Sequence, residues 1–359
     1  MVNQILHAAP SVLAVLTAEL LDPVDRLLVD ESPVPAGEAT VLVVGSPALA
    51  GAALAAGAGR VLGFCDSASE HLALPQGVER LTPDQPLPPV DVAWVRLGRD
   101  LDELDQWSGW VAASGAAMVA GARTKHLNPG MNNVLRRHFA EVRASRGRDK
   151  ARVLHASSPL PGAVERPGGA WPRWGEVEVD HRAMRVARHG GTFASGRLDP
   201  GTRLLLEQLD ELITPAPGRV LDWGSGAGII STALAHRLPA ARIDAVDLSW
   251  AGFAATNLTV AENQASQVGV HWADGNALLA QLGPFDLVVS NPPFHAGVAK
   301  DSTATLAMID AAAEALAPGG ELWLVHNSHL PWLRHMRRHG PAGVVVQNTG
   351  YTVSRLRLP

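Results

Sequence analysis

The chain of 359 residues holds a single cysteine, Cys65. That excludes an intramolecular disulfide framework and a cysteine-based zinc cluster, and it fits a reducing cytoplasm. Long apolar runs are missing too. The stretch from Ser46 to Phe64 comes nearest, but Arg60 interrupts it and alanine and glycine dominate it, which argues against a membrane span. The first 21 residues lack a positive n-region, so a secretory leader is not expected. Positive charge is scarce overall, with a formal net charge of −5. The shortage is uneven: residues 1–120 carry five basic side chains against fifteen acids, and the remainder carries twenty-five against twenty. An acidic total therefore does not exclude a nucleic-acid partner, because the field that matters is local.

What is present is a globular chain, 47% hydrophobic, with a mean hydropathy of +0.06 and enough length for two cores. Leucines at 13, 16, 20 and 21 predict a helix over 11–31, stopped by Pro33 and Pro35. Apolar runs at 41–44, 61–64, 92–95 and 116–120 read as strands separated by helical stretches, the pattern of a parallel sheet with right-handed crossovers. Between Arg123 and Arg152 nine basic residues face two acids. That run suits RNA phosphates or a solvated helix face, and both readings stay open. Residues 157–172, rich in proline and glycine, read as a linker, and residues 176–188 alternate as a hairpin.

Strands then recur. Asp199-Pro200 predicts a helix start, with aspartate as cap and proline in the first turn. Residues 219–223 form a strand that runs into Gly224-Ser225-Gly226-Ala227-Gly228, and residues 241–247 form one that ends in Asp247. Further strands are expected at 268–272, 287–290 and 321–325, with an antiparallel edge pair at 343–347 and 351–358. The halves echo one another as an internal duplication, but the first lacks the chemistry. Gly45-Ser46-Pro47-Ala48-Leu49 replaces the glycine loop, and Arg96-Leu97-Gly98 stands where Asn291-Pro292-Pro293-Phe294 should be.

Two stretches carry chemistry. Glycines 224, 226 and 228 let a ligand approach backbone amides at a helix N-terminus. Asp247, 23 residues past Gly224 at the end of the next strand, suits two ribose hydroxyls. That pair leaves a dinucleotide and S-adenosylmethionine both open. The other stretch is the apolar strand ending in Asn291-Pro292-Pro293-Phe294. Two prolines stop the strand and hold the chain extended. A carboxamide, a proline carbonyl and an aromatic face follow within four residues, a set suited to a flat substrate that bears an amino group.

Taken in this order, Phe193 to Leu212, Val220 to Gly228, Asp247 and Ser290 to His295 resemble a class I S-adenosylmethionine-dependent methyltransferase. More narrowly, residues 174–353 resemble the bacterial ribosomal RNA guanine-N2 methyltransferases, both the C type for small-subunit RNA and its G-type relatives for large-subunit RNA. Trp223 and Ser225 stand where that family usually has a small apolar residue and a cysteine. The resemblance implies an α/β fold of two tandem Rossmann-like methyltransferase domains, a degenerate one over 1–165 for RNA docking or structure and a catalytic one over 166–359. It implies S-adenosyl-L-methionine as cofactor. Asp222 then meets the methionine amino end, Asp247 the ribose and Asp274 the adenine, with Asn276 as the alternative to Asp274. Asn291 and the Pro292 carbonyl accept the hydrogens of the target amine, and Phe294 stacks on the base. The implied partner is ribosomal RNA or a ribosomal subunit, for a cytoplasmic, monomeric enzyme without a membrane. Methylation of adenine N6, cytosine N4 or a protein glutamine, and a non-catalytic RNA-binding assembly factor, are the alternatives.

Overall fold

The computed structural model describes residues 21–35, 38–162, 171–292 and 299–359, except the side chains of 299–302. Two compact units divide it, Met1–Trp171 and Pro172–Pro359.

In the first unit the strands are β1 (Thr40–Val44), β2 (Arg60–Phe64), β3 (Val78–Arg80), β4 (Val92–Arg96), β5 (Ala117–Arg123), β6 (Phe139–Ala144) and β7 (Ala151–Pro159). They form one sheet in the order β3-β2-β1-β4-β5-β7-β6. The pairs among β1 to β5 are parallel, and β7 runs antiparallel between β5 and β6. The second unit opens on a hairpin of β8 (Arg173–Val179) and β9 (Arg182–Arg188), turned at Asp180 and His181, both at positive φ. Its sheet contains β10 (Arg219–Trp223), β11 (Arg242–Asp247), β12 (Val268–Trp272), β13 (Phe285–Ser290), β14 (Leu316–Asn327), β15 (Ala342–Gln347) and β16 (Tyr351–Arg357). The order is β12-β11-β10-β13-β14-β16-β15, the same permutation as in the first unit. The duplication and the fold class expected from the sequence are both present.

The central strands read as apolar runs because helices cover both faces of a parallel sheet. Four of the five residues in β1 and in β10 are buried. One acid recurs at the foot of each sheet. Asp91 Oδ2 accepts the Thr40 amide at 2.8 Å, and Asp286 Oδ2 accepts the amides of Gly218 and Arg219 at 2.8 and 2.9 Å.

Several expectations change. The first described helix is Pro23–Glu31, not 11–31, whose first residues lie outside the described ones. Pro23 disfavours helical backbone at Asp22, and Asp22 instead caps, accepting from the amides of Val24 and Asp25. The basic stretch 123–152 is no single helix face. It spans the end of β5, a 3₁₀ turn, the helix Pro129–Leu135, β6 and the first residues of β7. The antiparallel β6–β7 pair escaped the sequence reading because arginines interrupt its alternation. The linker region begins with the end of β7, and residues 163–170 lie outside the described ones. No helix among the described residues is long and apolar enough to cross a membrane.

Candidate active site

Crossovers in a parallel sheet bring loops together at the carboxyl ends of the strands. In the second unit these ends carry Asp222 and the glycine loop (β10), Asp247 (β11), Asp274 (just past β12) and Asn291-Pro292 (just past β13). The strands β11-β10-β13 are neighbours, so Asp247, the loop and Asn291 lie along one edge of the sheet.

The loop is built on three glycines with left-handed backbone: Gly224 (φ 79°), Gly226 (φ 57°) and Gly228 (φ 75°). Gly224 donates its amide to Val246 O at 2.8 Å, and Gly228 caps the helix Ile229–Arg237. A Cβ added at Gly228 would lie 3.1 Å from the Thr256 backbone, whereas one added at Gly224 would meet nothing within 4 Å. The loop is therefore packed on the inside and open above Gly224. Thr256 ties it down from the helix Trp250–Glu262. Its hydroxyl donates to Gly226 O at 3.1 Å and pairs with Ser225 Oγ at 3.0 Å. The serine thus keeps the loop in place where a cysteine is usual. Trp223 is accommodated by Gly275, where an added Cβ would lie 2.3 Å from the indole nitrogen.

Asp222 is fully buried. Its Oδ2 accepts the Ser231 amide at 2.9 Å and the Ser231 hydroxyl, within the first turn of the following helix, while Oδ1 has no partner among the described residues. Burial pushes its carboxyl up to about 7, against the stabilising hydrogen bonds from Ser231. Asp247 closes the loop from the next strand, accepting the Gly226 amide on Oδ2 and the Ser249 amide on Oδ1, both at 2.8 Å. Beside it Phe253 stacks on Trp272, with ring centroids 6.3 Å apart. Asp274 caps the helix Gly275–Leu282 with Oδ1, which accepts from the amide and the side chain of Asn276.

Asn291 is 6% exposed. Its Nδ2 donates to Thr202 Oγ1 at 2.8 Å and to Asp199 Oδ2 at 3.1 Å, and its Oδ1 is buried with no partner among the described residues. Pro292 follows, also buried. Phe294 and His295 lie outside the described residues. Sequence reading assigned Asp199 only a capping role and did not single out Thr202, Ser231 or Thr256. Of these, only Asp199 carried a signal, its place before a proline. His326, at the end of β14, is a cross-link within the sheet. It is buried, bonded to Ser354 Oγ at 3.0 Å, and burial lowers its pKa.

A glycine loop open on one side and an orphaned carboxylate oxygen beneath it fit an aminoacyl nucleoside cofactor. An orphaned carboxamide oxygen one strand away fits an amine to be modified. Residues 183–355 match the methyltransferase small domain, and residues 60–159 match the RLMG N-terminal domain. The ribosomal RNA large subunit methyltransferase G of Streptomyces coelicolor is 34% identical over 275 residues, which covers 74% of this chain and 71% of the relative. The chain belongs to the ribosomal RNA guanine-N2 methyltransferase family. Methyltransferases of this family use S-adenosylmethionine. The G-type relative matches across both units. The ribosomal RNA small subunit methyltransferase C of Pseudomonas paraeruginosa, at 38% identity, matches 49% of this chain and 52% of its own length. A T. thermophilus 16S rRNA N2 methyltransferase, solved with AdoMet and guanosine, shares the fold at a TM-score of 0.75 and 21% identity. That match covers 94% of this chain and 92% of the solved one.

Proposed function

We propose that this chain methylates the exocyclic N2 amine of a guanine in ribosomal RNA, with Asn291 and Pro292 as the residues that engage the amine. The observation that carries the reading is the Asn291 carboxamide, whose nitrogen is fully engaged and whose buried oxygen is left without a donor among the described residues. A buried acceptor left unpaired costs about 1–3 kcal/mol, so a donor is expected to arrive from outside. An aryl amine is a weak nucleophile because its lone pair is delocalised into the ring. Asn291 Oδ1 and the Pro292 carbonyl, by accepting its two hydrogens, favour a pyramidal nitrogen and aim its lone pair. Phe294 is assigned the stacking face by its place in the motif. When bound, S-adenosylmethionine supplies an electrophilic methyl group on its sulfonium. Positioning and preorganised acceptors then provide most of the acceleration, and no strong base is needed because the methylated ammonium is acidic.

Gly224, Gly226 and Gly228 are assigned to the cofactor's close approach, Asp222 to its amino end, Asp247 to its ribose and Asp274 to its adenine. All of these residues come from one unit, so a single chain is taken as the active species. The first unit is assigned to RNA docking. Its Lys125, Arg136, Arg143, Arg146 and Lys150 are exposed, within reach of phosphates. The reading is tested by incubating ribosomal RNA and ribosomal subunits with methyl-labelled cofactor and weighing the digested nucleosides. Label in N2-methylguanosine is the expected result. Label in N6-methyladenosine, N4-methylcytidine or protein would redirect it.

Asp222 sets a pH dependence. Its folded pKa, near 7, lies above its ordinary value of 3.8 because burial penalises the charge. Its contribution to stability is thus complete below about 4 and is lost as pH rises through about 7. Cofactor binding has the opposite sign, because the ammonium needs the carboxylate ionised and is itself protonated below about 7.7. Calorimetric affinity for S-adenosylmethionine should fall about tenfold per pH unit from 7 down to 5. Asp222→Asn should flatten that slope. An unchanged slope in the variant would remove Asp222 from the amino end.

A further inference from the structure

An amide side chain can turn either edge to a ligand, and only one edge of Asn291 can accept a hydrogen from an amine. Two neighbours decide which. Asp199 Oδ2, 3.1 Å from Nδ2, can only accept when ionised, and Thr202 Oγ1 takes the second Nδ2 hydrogen at 2.8 Å. Both come from the N-terminus of the helix Pro200–Leu206, which Asp199 also caps by accepting the amides of Gly201 and Thr202. Thr202 is 6% exposed. Flipping the carboxamide would set its oxygen against the Asp199 carboxylate.

The first unit repeats this arrangement with other residues. Leu21-Asp22-Pro23-Val24-Asp25-Arg26-Leu27-Leu28 and Leu198-Asp199-Pro200-Gly201-Thr202-Arg203-Leu204-Leu205 agree at six of eight positions. Each segment starts a helix capped by its first aspartate. Val95 pairs with Val44 and Ser290 with Trp223, so Arg96, the last residue of β4, and Asn291, the first past β13, occupy the same register position. Arg96 Nη2 donates to Asp22 and Nη1 to Asp25 Oδ1 at 2.9 Å. The same two helix positions therefore hold the same strand-end position in both copies. Two carboxylates hold a cation in the first copy, and one carboxylate and one hydroxyl hold a neutral amide in the second. The first copy has also closed. A Cβ on Gly45, the counterpart of Gly224, would lie 3.3 Å from Arg96 Cβ, where the second copy is open.

We propose that Asp199 and Thr202 are positioning residues for methyl transfer, which fix the Asn291 carboxamide with its oxygen toward the substrate amine. This rests on Asn291 meeting that amine, as proposed above. Asn291→Ala, Asp199→Asn, Thr202→Val, Thr202→Ser and the doubles with Asn291→Ala are compared in single-turnover methyl transfer, S-adenosylmethionine affinity and Tm. Asparagine caps a helix as well as aspartate does, so Asp199→Asn should leave Tm in place. One oxygen, Oδ2, serves both the cap and Asn291, so an asparagine that caps keeps an acceptor toward Asn291 and should hold the transfer rate near wild type as well. Thr202→Val should slow transfer about tenfold, the scale of one orienting hydrogen bond, with cofactor affinity unchanged. Thr202→Ser should restore the rate. In the Asn291→Ala background the same changes should have no further effect, because the clamp acts only through Asn291. Equal losses in both backgrounds, or equal rates for Thr202→Val and Thr202→Ser, would overturn the clamp. A readout without turnover separates the two levels of inference. Exchange of the Asn291 side-chain amide protons, followed by NMR on asparagine-labelled protein, should be slow in wild type and Thr202→Ser and fast in Thr202→Val. Full turnover by Asn291→Ala together with this exchange pattern would sink the functional reading and leave the clamp standing. Fast exchange in wild type would sink the clamp alone.

Discussion

Replacing Asn291 by alanine is expected to lower single-turnover methyl transfer by about 10²–10³-fold, while affinity for S-adenosylmethionine stays near wild type. The magnitude is that of removing one preorganised hydrogen-bonding group from a site where charge develops. Asn291 suits this role because its acceptor is already desolvated and aligned before substrate arrives, with its two donors spent on Thr202 and Asp199. The cofactor loop is untouched by the change, since its bonds run to Asp247, Val246 and Thr256. Asn291→Asp should be milder, because a carboxylate still accepts. It would, however, face the Asp199 carboxylate without a proton between them, so its rate should recover as pH falls. The measurement uses saturating cofactor and RNA. A wild-type rate for the alanine variant would mean that this stretch only ends a strand.

Asp247→Ala carries the second large effect, a loss of cofactor affinity of about 1.5–3 kcal/mol, the range for hydrogen bonds to a charged group. Two causes add. The carboxylate is the group assigned to the ribose, and it also accepts the Gly226 and Ser249 amides. Removing it frees a loop whose left-handed glycines otherwise have conformational entropy to regain. Asp247→Asn separates the causes: one amide bond to the loop survives, and a charged acceptor for hydroxyls is lost. Calorimetry on the three proteins gives the ordering wild type, asparagine, alanine if both causes act. Equal affinity for wild type and alanine would detach Asp247 from the cofactor altogether.

Much of this was legible because it is local. Runs such as Val41–Val44 and Leu287–Val289 read as strands since a parallel sheet buries both faces, and alternation with helices then allows few topologies. Asp199-Pro200 and the glycines at 224, 226 and 228 announce a helix start and a turn that a ligand can approach closely through backbone preferences alone. The prolines after Asn291 end a strand for the same reason. The misreadings also have local causes. Leucine spacing carried the expected helix across Asp22-Pro23, where proline sterics exclude helical backbone at Asp22, and nine basic residues hid two antiparallel strands, of which β7 pairs with β5 and β6 with β7.

The sequence by itself therefore determined the two α/β units and the residue types that stand at 222–228, 247 and 291–294. Only the tertiary structure decided how those groups are held. It brings Asp199 to Asn291 across 92 residues and so selects which edge of a symmetric-looking amide faces outward. It buries Asp222 until its carboxyl titrates near 7. It also turns the cap aspartate of the first copy into one half of an ion pair over Gly45. Orientation, desolvation and pairing are properties of distance in space, and no spacing along the chain encodes them.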